Sequence, residues 1–327
     1  MMPSQRNLIF EIAIAALAVV ASGCQMGPGV SGAFDRSFNV TAPIRLELSN
    51  ASGDVKITGS SDSKVHIHGD VRASGMSFDS QQKRLDATVS NPPVEQKGDT
   101  IRVGKDFGKI HNVSIAYTIE VPHDAEISTQ VVSGSQTITN VRGPVKVDSA
   151  SGTIKVNGVE RATTLNTLSG SIDVQNIGDD LRASSASGSV MASKIKGDVR
   201  ISALSGETQI IDPGGRVDAD TGSGTVEVQG ATRDVKAHAV SGTVNVQGNP
   251  GDSSYWDLKT ASGVVHLGVP ANANFRFSAE AVSGQIKTDV PIVIEEQGKH
   301  SLRARMGNGG GRVEVHTISG EIHVSAS

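Results

Sequence analysis

Apolar and polar residues alternate in short runs along this chain, and the runs come in pairs on either side of a recurring Ser-Gly. The serine of that dipeptide falls at 133, 151, 169, 187, 205, 223 and 241, six successive intervals of eighteen. Spacing this regular marks a repeat architecture before any element is assigned. Further copies begin at Ser262 and Ser283 after intervals of twenty-one, and at Ser319 after thirty-six, twice the period. One coil is therefore expected to lack the dipeptide. An early copy stands at Ser52-Gly53.

Aligned on their serines, the copies show where a core belongs. Three residues on stand Ile154, Ile172, Val190, Val226 and Val244, and five residues on stand Val156, Val174, Ile210, Val228 and Val246. Six and four before the serine the columns are apolar again, as in Val145 with Val147, Val199 with Ile201, and Val313 with Val315. Two strands of period two thus flank each Ser-Gly corner. Four inward aliphatics per coil release less free energy on burial than ordering eighteen residues costs, so no coil is stable alone. Stacked coils pair their strands in parallel and line like residues up in columns. The pattern predicts an all-β fold: a single-stranded β-solenoid (β-helix) of about 18-residue coils with parallel sheets. Coils from about Ile127 onward would form a stack roughly 50 Å long at ~4.8 Å per coil. Alanine four before the serine, as at Ala183, Ala219, Ala237 and Ala279, implies a narrow core at that level.

Before residue 127 the periodicity is weaker. Lys64–Ala73 reads as a strand pair, Phe78–Thr88 as a short amphipathic helix, Asn91-Pro92-Pro93 as a break, and 100–103 and 113–121 as strands. The tract 307–311, Gly-Asn-Gly-Gly-Gly, reads as a loop without the lysine and helix of a phosphate-binding loop.

The start of the chain reads as an export signal. Arg6 precedes a mostly apolar run, Leu8–Ala21, too short to span a bilayer and typical of a signal core. It ends in Ala21-Ser22-Gly23-Cys24, and Cys24 is the single cysteine. This resembles a bacterial lipoprotein box, which implies lipid on Cys24, cleavage before it, and a second acyl chain for stable anchoring. An ordinary secretory signal cleaved near Ala21 or Gly23 is the alternative. Gln25 after the cysteine resembles an outer-membrane sorting pattern. The expected organisation is a lipoprotein signal peptide over 1–23, a flexible tether over 24–40 and a solenoid over 41–327, less regular in 41–126 and regular in 127–327. No disulfide is possible with one cysteine, so packing must supply the stability.

Composition narrows the function. Aromatics make up 3% of residues, which leaves small aliphatics to fill the core. Lys and Arg total 30 against 34 Asp and Glu, net charge −4, which offers no broad basic surface to nucleic acid.

The run Tyr117-Thr118-Ile119-Glu120-Val121-Pro122, the reiterated Ser-Gly coils, and the terminal run from Gly309-Gly310-Gly311-Arg312-Val313 to Ile318-Ser319-Gly320-Glu321-Ile322 resemble a bacterial adhesin-type family with β-strand repeats. The resemblance covers about residues 40–327. It implies the fold and an adhesive label, and it carries over no functional residue, because the family is largely a domain of unknown function.

Solenoids also include polysaccharide lyases and hydrolases, whose chemistry needs carboxylates in neighbouring coils. The column seven before the serine brings Asp180 and Asp198 into adjacent coils, with Asp179 beside the first. These three could make a calcium site or an acid pair; the simpler reading is turn hydrogen bonds at the strand entry. His66 and His68 alternate along one strand at a spacing a metal could bridge, or are exposed strand histidines. The corner serines are too regular to be nucleophiles. Trp256 occupies a core column, and Tyr255 beside it reads as either a surface contact or the cover of a wider coil. The resulting expectation is a lipid-anchored, non-enzymatic adhesive or scaffolding protein of the cell envelope with no cofactor. Its membrane contact is the lipid, and its ligand an envelope polysaccharide or protein. The alternatives are a carbohydrate-active β-helix enzyme and an accessory factor of envelope stress.

Overall fold

The computed structural model describes residues 29–40, 43–75, 77–104 and 112–327. The signal segment and Cys24 lie outside the described residues. Two compact units divide the chain, one ending at Gly134 and the other running Ser135–Ser327.

The first unit begins with a strand where a tether was expected. β1 (Gly29–Asn39) pairs antiparallel with β4 (Lys64–Ser74) along its whole length, from Gly29 opposite Ser74 to Asn39 opposite Lys64. The expected tether over 24–40 is corrected from residue 29 onward. Phe34 and Phe38 explain it: both are buried, and Phe34 packs where a side chain at Gly69 would stand, within 2.3 Å of its ring. The expected strand pair over Lys64–Ala73 is likewise one unbroken strand. β2 (Arg45–Ser52) and β3 (Val55–Ser60) flank the Ser52-Gly53 corner. The helix α1 (Phe78–Ser90) is capped by Ser77, whose side chain accepts from the Ser80 amide, and sets Leu85 against Gly32. β5 (Val94–Lys97) and β6 (Thr100–Val103) follow, then β7 (Val113–Pro122) and β8 (Glu126–Ser133). β2 is paired in parallel by β6 on one side and β8 on the other, and β7 pairs parallel with β3 and antiparallel with β4.

The second unit is the coil stack that the eighteen-residue period predicts. Its strands are β9 (Gln136–Val141), β10 (Val145–Ser151), β11 (Ile154–Val159), β12 (Thr163–Ser169), β13 (Ile172–Ile177), β14 (Leu181–Ser187) and β15 (Val190–Ile195). From β16 (Val199–Ile211) through β17 (Val217–Ala231), β18 (Val235–Gly248), β19 (Tyr255–Val269) and β20 (Phe275–Thr288) the strand runs unbroken through the corner. β21 (Val293–Gln297), β22 (Ser301–Met306) and β23 (Gly311–Ala326) complete it. Pairing is parallel and in perfect register at the corners: Ser151 stands opposite Ser169, then Ser187, Ser205, Ser223, Ser241 and Ser262 in turn. The fold is an all-β solenoid of about 18-residue coils with open parallel ladders.

Counted from each corner serine, the inward positions are −6, −4, −2, +3, +5 and +8, as in Val145, Val147, Ser149, Ile154, Val156 and Val159. The last of these departs from strict alternation for a stated reason. Position +7 adopts positive φ at Asn140, Gly158, Asn176, Lys194, Asp212 and Gly230, and this left-handed residue turns the next side chain inward. At the corner, glycine φ lies between +123° at Gly152 and +157° at Gly320, and successive glycines stack directly. A Cβ on Gly188 would lie 2.1 Å from the Gly170 carbonyl oxygen. Each corner amide also reaches the next coil, as Gly170 donates to the Ser187 carbonyl at 3.0 Å.

Sequence order fails at the end of the stack. The thirty-six-residue interval is not a coil missing its dipeptide: β21 and β22 form an antiparallel hairpin, and β22 pairs antiparallel with β20. Every residue of β21 is exposed, so this segment supplies no inward columns. β23 inserts between β19 and β20, placing Ser319 opposite Ser262 on one side and Ser283 on the other. Glu296 and Glu295 of β21 pair with Arg303 at 2.9 Å and Arg305 at 3.5 Å, and such charges discourage pairing along a free edge.

Candidate functional site

The outward face of the first strands in the second unit carries columns −7, −5, −3 and −1. At −7 and −5 it is a charged ladder. Asp180 Oδ1 accepts from the amide of Asp198 at 2.9 Å, Asp198 Oδ1 accepts from the amide of Arg216 at 2.9 Å, and Asp234 Oδ1 accepts from the amide of Tyr255 at 2.9 Å. Each aspartate thus bridges to the backbone one coil on. Arg216 returns the contact through its guanidinium, which reaches Asp198 Oδ2 at 3.0 Å. The amide hydrogen bond first, and the Arg216 side chain next, hold the Asp198 carboxyl below its ordinary range. Asp179, beside Asp180, is in the turn before β14.

The ladder neutralises itself along the stack. Asp218 accepts from Arg200 Nε at 3.1 Å and Lys236 Nζ at 3.0 Å; Lys236 also reaches Asp220 at 3.1 Å. Partial burial opposes ionisation of Asp218, but Lys236 and then Arg200 outweigh it and the carboxyl titrates below its usual range. Asp257 Oδ2 faces His238 Nε2 at 3.1 Å and Lys259 Nζ at 2.8 Å. At the far end Tyr255 donates to Glu314 Oε2 at 2.6 Å while Arg312 lies 5.7 Å from the Tyr255 ring centroid and bonds Glu314. Asp180, Asp198, Arg216, Asp218, Lys236 and Tyr255 line a shallow groove of about 480 Å³. The partners of Asp198, Asp218 and Glu314 hold all three carboxyls below their ordinary range.

The other edge of the same face is apolar. Leu168, Leu204, Val240, Ile318 and Val282, all at position −1, are 60–68% exposed. Ala186, Gly222 and Ala261 stand between them, and Ala150 precedes Leu168. In stack order the column reads Ala150, Leu168, Ala186, Leu204, Gly222, Val240, Ala261, Ile318, Val282, because β23 precedes β20 in space. A groove of about 550 Å³ opens between Val240 and Ile318 over Ala261, with His238, Lys259, Glu280 and His316 of column −3 on its flank.

Other sequence candidates fall elsewhere. His66 and His68 lie on β4 facing β1: His66 Nδ1 is 2.9 Å from Ser37 Oγ, and His68 is 2.8 Å from Asp35 and 3.4 Å from Asp70. The Asp35 hydrogen bond leads in raising the His68 pKa. Among the described residues no three His, Cys, Asp or Glu side chains are grouped closely enough to hold a metal ion. Trp256 is fully buried and donates to the Arg233 carbonyl at 2.7 Å. Asp180 and Asp198 do make backbone hydrogen bonds at a strand entry, but to amides of the next coil, and the side-chain partner Arg216 stands in the same column −7. The apolar column stands at an outward position, where the alternation that marks the core gives no signal.

No curated protein matches the sequence. Among solved structures, similarity is found to a "putative cell adhesion protein" from Clostridium sporogenes, at 11% identity over 92% of this chain and 100% of that one, TM-score 0.23. A "putative lipid binding protein" from Parabacteroides distasonis shares 12% identity over 89% and 96% of the two chains, TM-score 0.38. A "putative adhesin" from Bacteroides fragilis shares 12% over 90% and 97%, TM-score 0.29. Residues 215–325, from just before β17 into the end of β23, match the family model described as Toastrack DUF4097.

Proposed function

We propose that this protein is a non-enzymatic adhesive or scaffolding surface of the cell envelope, tethered to the outer membrane through lipid on Cys24. The observation that carries the reading is the exposed apolar column at position −1, repeated from coil to coil beside a ladder whose charges are already paired. Monomeric soluble proteins seldom leave a continuous apolar stripe uncovered, and a stripe that recurs coil after coil offers many small contacts in place of one deep pocket. The envelope ligand is a polysaccharide or a protein, met along a line. The Asp180 and Asp198 carboxyls each accept from a backbone amide of the next coil, a structural use that weighs against the carbohydrate-active alternative.

Three results test the proposal. An epitope tag after Asn249 is removed by protease added to intact cells if the surface faces outward, and survives until the outer membrane is permeabilised if it scaffolds the periplasm. Cys24→Ser moves the protein from the membrane to the soluble fraction; an unchanged distribution contradicts the lipid tether. Turnover of an envelope polysaccharide that is lost in Asp180→Ala and Asp198→Ala would overturn the non-enzymatic reading.

A further inference from the structure

The −1 column alternates strictly over eight coils, small then large, from Ala150 to Ile318. Such a ridge is complementary to itself. A two-fold axis along the strand direction, passing between the coils of Leu204 and Gly222, turns a second copy face to face with its stack reversed. Strand direction is preserved by that operation, so column −1 meets column −1 and column −3 meets column −3. Leu204 then meets Gly222, Val240 meets Ala186, Leu168 meets Ala261, and Ile318 meets Ala150. Within these eight coils every large side chain is set on a small one; Val282, one coil beyond Ile318, lies outside the alternation. A parallel pairing about an axis along the stack would instead oppose large to large and leave the small positions empty.

Column −3 agrees with the same operation. Asp148 meets His316, Lys259 meets Asn166, His238 meets Ser184 and Asp220 meets Ser202, so no like charges are opposed in this column; in column −5 Lys146 meets Glu314 and Arg200 meets Asp218, with Arg182 opposite Lys236 the one like pair. Seven coil spacings of ~4.8 Å give a contact about 34 Å long. A strip of that length buries on the order of 1,000 Å² in total, the lower end of specific interfaces, which fits a reversible dimer. The groove over Ala261 between Val240 and Ile318 is the hole that Leu168 of the second copy would fill.

We infer that the −1 column is a homotypic docking surface, on which a second copy of this chain packs antiparallel in an isologous two-fold dimer. This deepens the adhesive reading and rests on it: the partner of the surface is, at least in part, the protein itself.

The test uses the full chain carrying Cys24→Ser, purified in mild detergent. Sedimentation should show monomer and dimer exchanging in the micromolar to hundred-micromolar range, with dimer abolished by Leu168→Glu plus Leu204→Glu and the melting curve retained. Register is read by oxidation with copper phenanthroline. Chains bearing Ala186→Cys and chains bearing Val240→Cys should cross-link when mixed and not when either is oxidised alone. Cross-linking of like chains alone, or a monomer at every concentration, overturns the dimer. A monomer that still binds isolated envelopes through the column overturns the dimer and leaves the adhesive reading standing; a monomer that binds nothing overturns both.

Discussion

Tyr255 donates its phenolic hydrogen to Glu314 Oε2 at 2.6 Å, joining β19 to a strand that the chain adds last. The contact secures β23 in its place between β19 and β20. Glu314 first, then partial burial, push the Tyr255 pKa up to about 12, and burial raises Tyr117 as well. The chain has two tyrosines. Absorbance at 295 nm after a rapid pH jump should therefore show no tyrosine ionising near pH 10, and Glu314→Gln should bring Tyr255 down toward that value. A wild-type transition near 10 would contradict the contact.

The corner glycines are required by geometry at two levels. Gly188 has φ +135°, and a Cβ there would meet the Gly170 carbonyl oxygen at 2.1 Å. Gly188→Val is expected to cost at least about 2 kcal/mol, or to prevent folding, because backbone strain and a backbone clash add. Gly98, at φ +61° with nothing near its Cβ position, should accept Asn with little change. Urea unfolding of both variants checks the contrast.

Lys194 sits at φ +55°, where other coils place Asn, Asp or Gly. Its side chain is exposed, so its removal forfeits no core packing. Lys194→Gly should raise stability by about 0.5–1 kcal/mol, the left-handed penalty less the entropy cost of glycine. Lower stability would show that the lysine holds a contact that outweighs its backbone strain.

The charged ladder sets the acid limit. Asp198, Asp218 and Glu314 have folded pKa values below their ordinary 3.8, 3.8 and 4.5, so the unfolded chain takes up protons first as pH falls. Their stabilisation is complete above those ordinary values and is lost as pH drops through the folded ones. Lys236→Met should cost about 0.5–1 kcal/mol at pH 7, a screened surface value, and the difference from wild type should shrink below pH 3. A difference independent of pH would place the effect in packing.

Much of the second unit was legible because its period is exact. The columns at Val145, Val147, Ile154 and Val156 each hold one residue class through many coils, and parallel stacking in register is the arrangement that uses them. The inward position at Val159 was hidden, since simple alternation assigns that side of the strand to solvent. The signal was the Asn or Gly preceding it. The insertion of β23 was hidden for a different reason: Ser319 has the same local pattern as every other corner, and nothing local says which neighbour it joins. β1 escaped because the glycines at 27, 29 and 32 read as a tether, while Phe34 finds its space only through Gly69, far along the chain. The site was half legible. Asp180 and Asp198 could be aligned in sequence, but their bonds run to backbone amides, which sequence columns do not display. The apolar column was visible at alternate coils as Leu or Val before Ser-Gly.

The central claim is that this column is the surface the protein binds with. The most direct measurement is binding of the labelled full chain to isolated cell envelopes, wild type against Leu204→Glu, Val240→Glu and Ile318→Glu combined. The account predicts a loss of at least about tenfold, because desolvating three charges along a weak linear contact costs more than 1.4 kcal/mol, with the melting curve unchanged. Equal binding by the folded triple variant would contradict it.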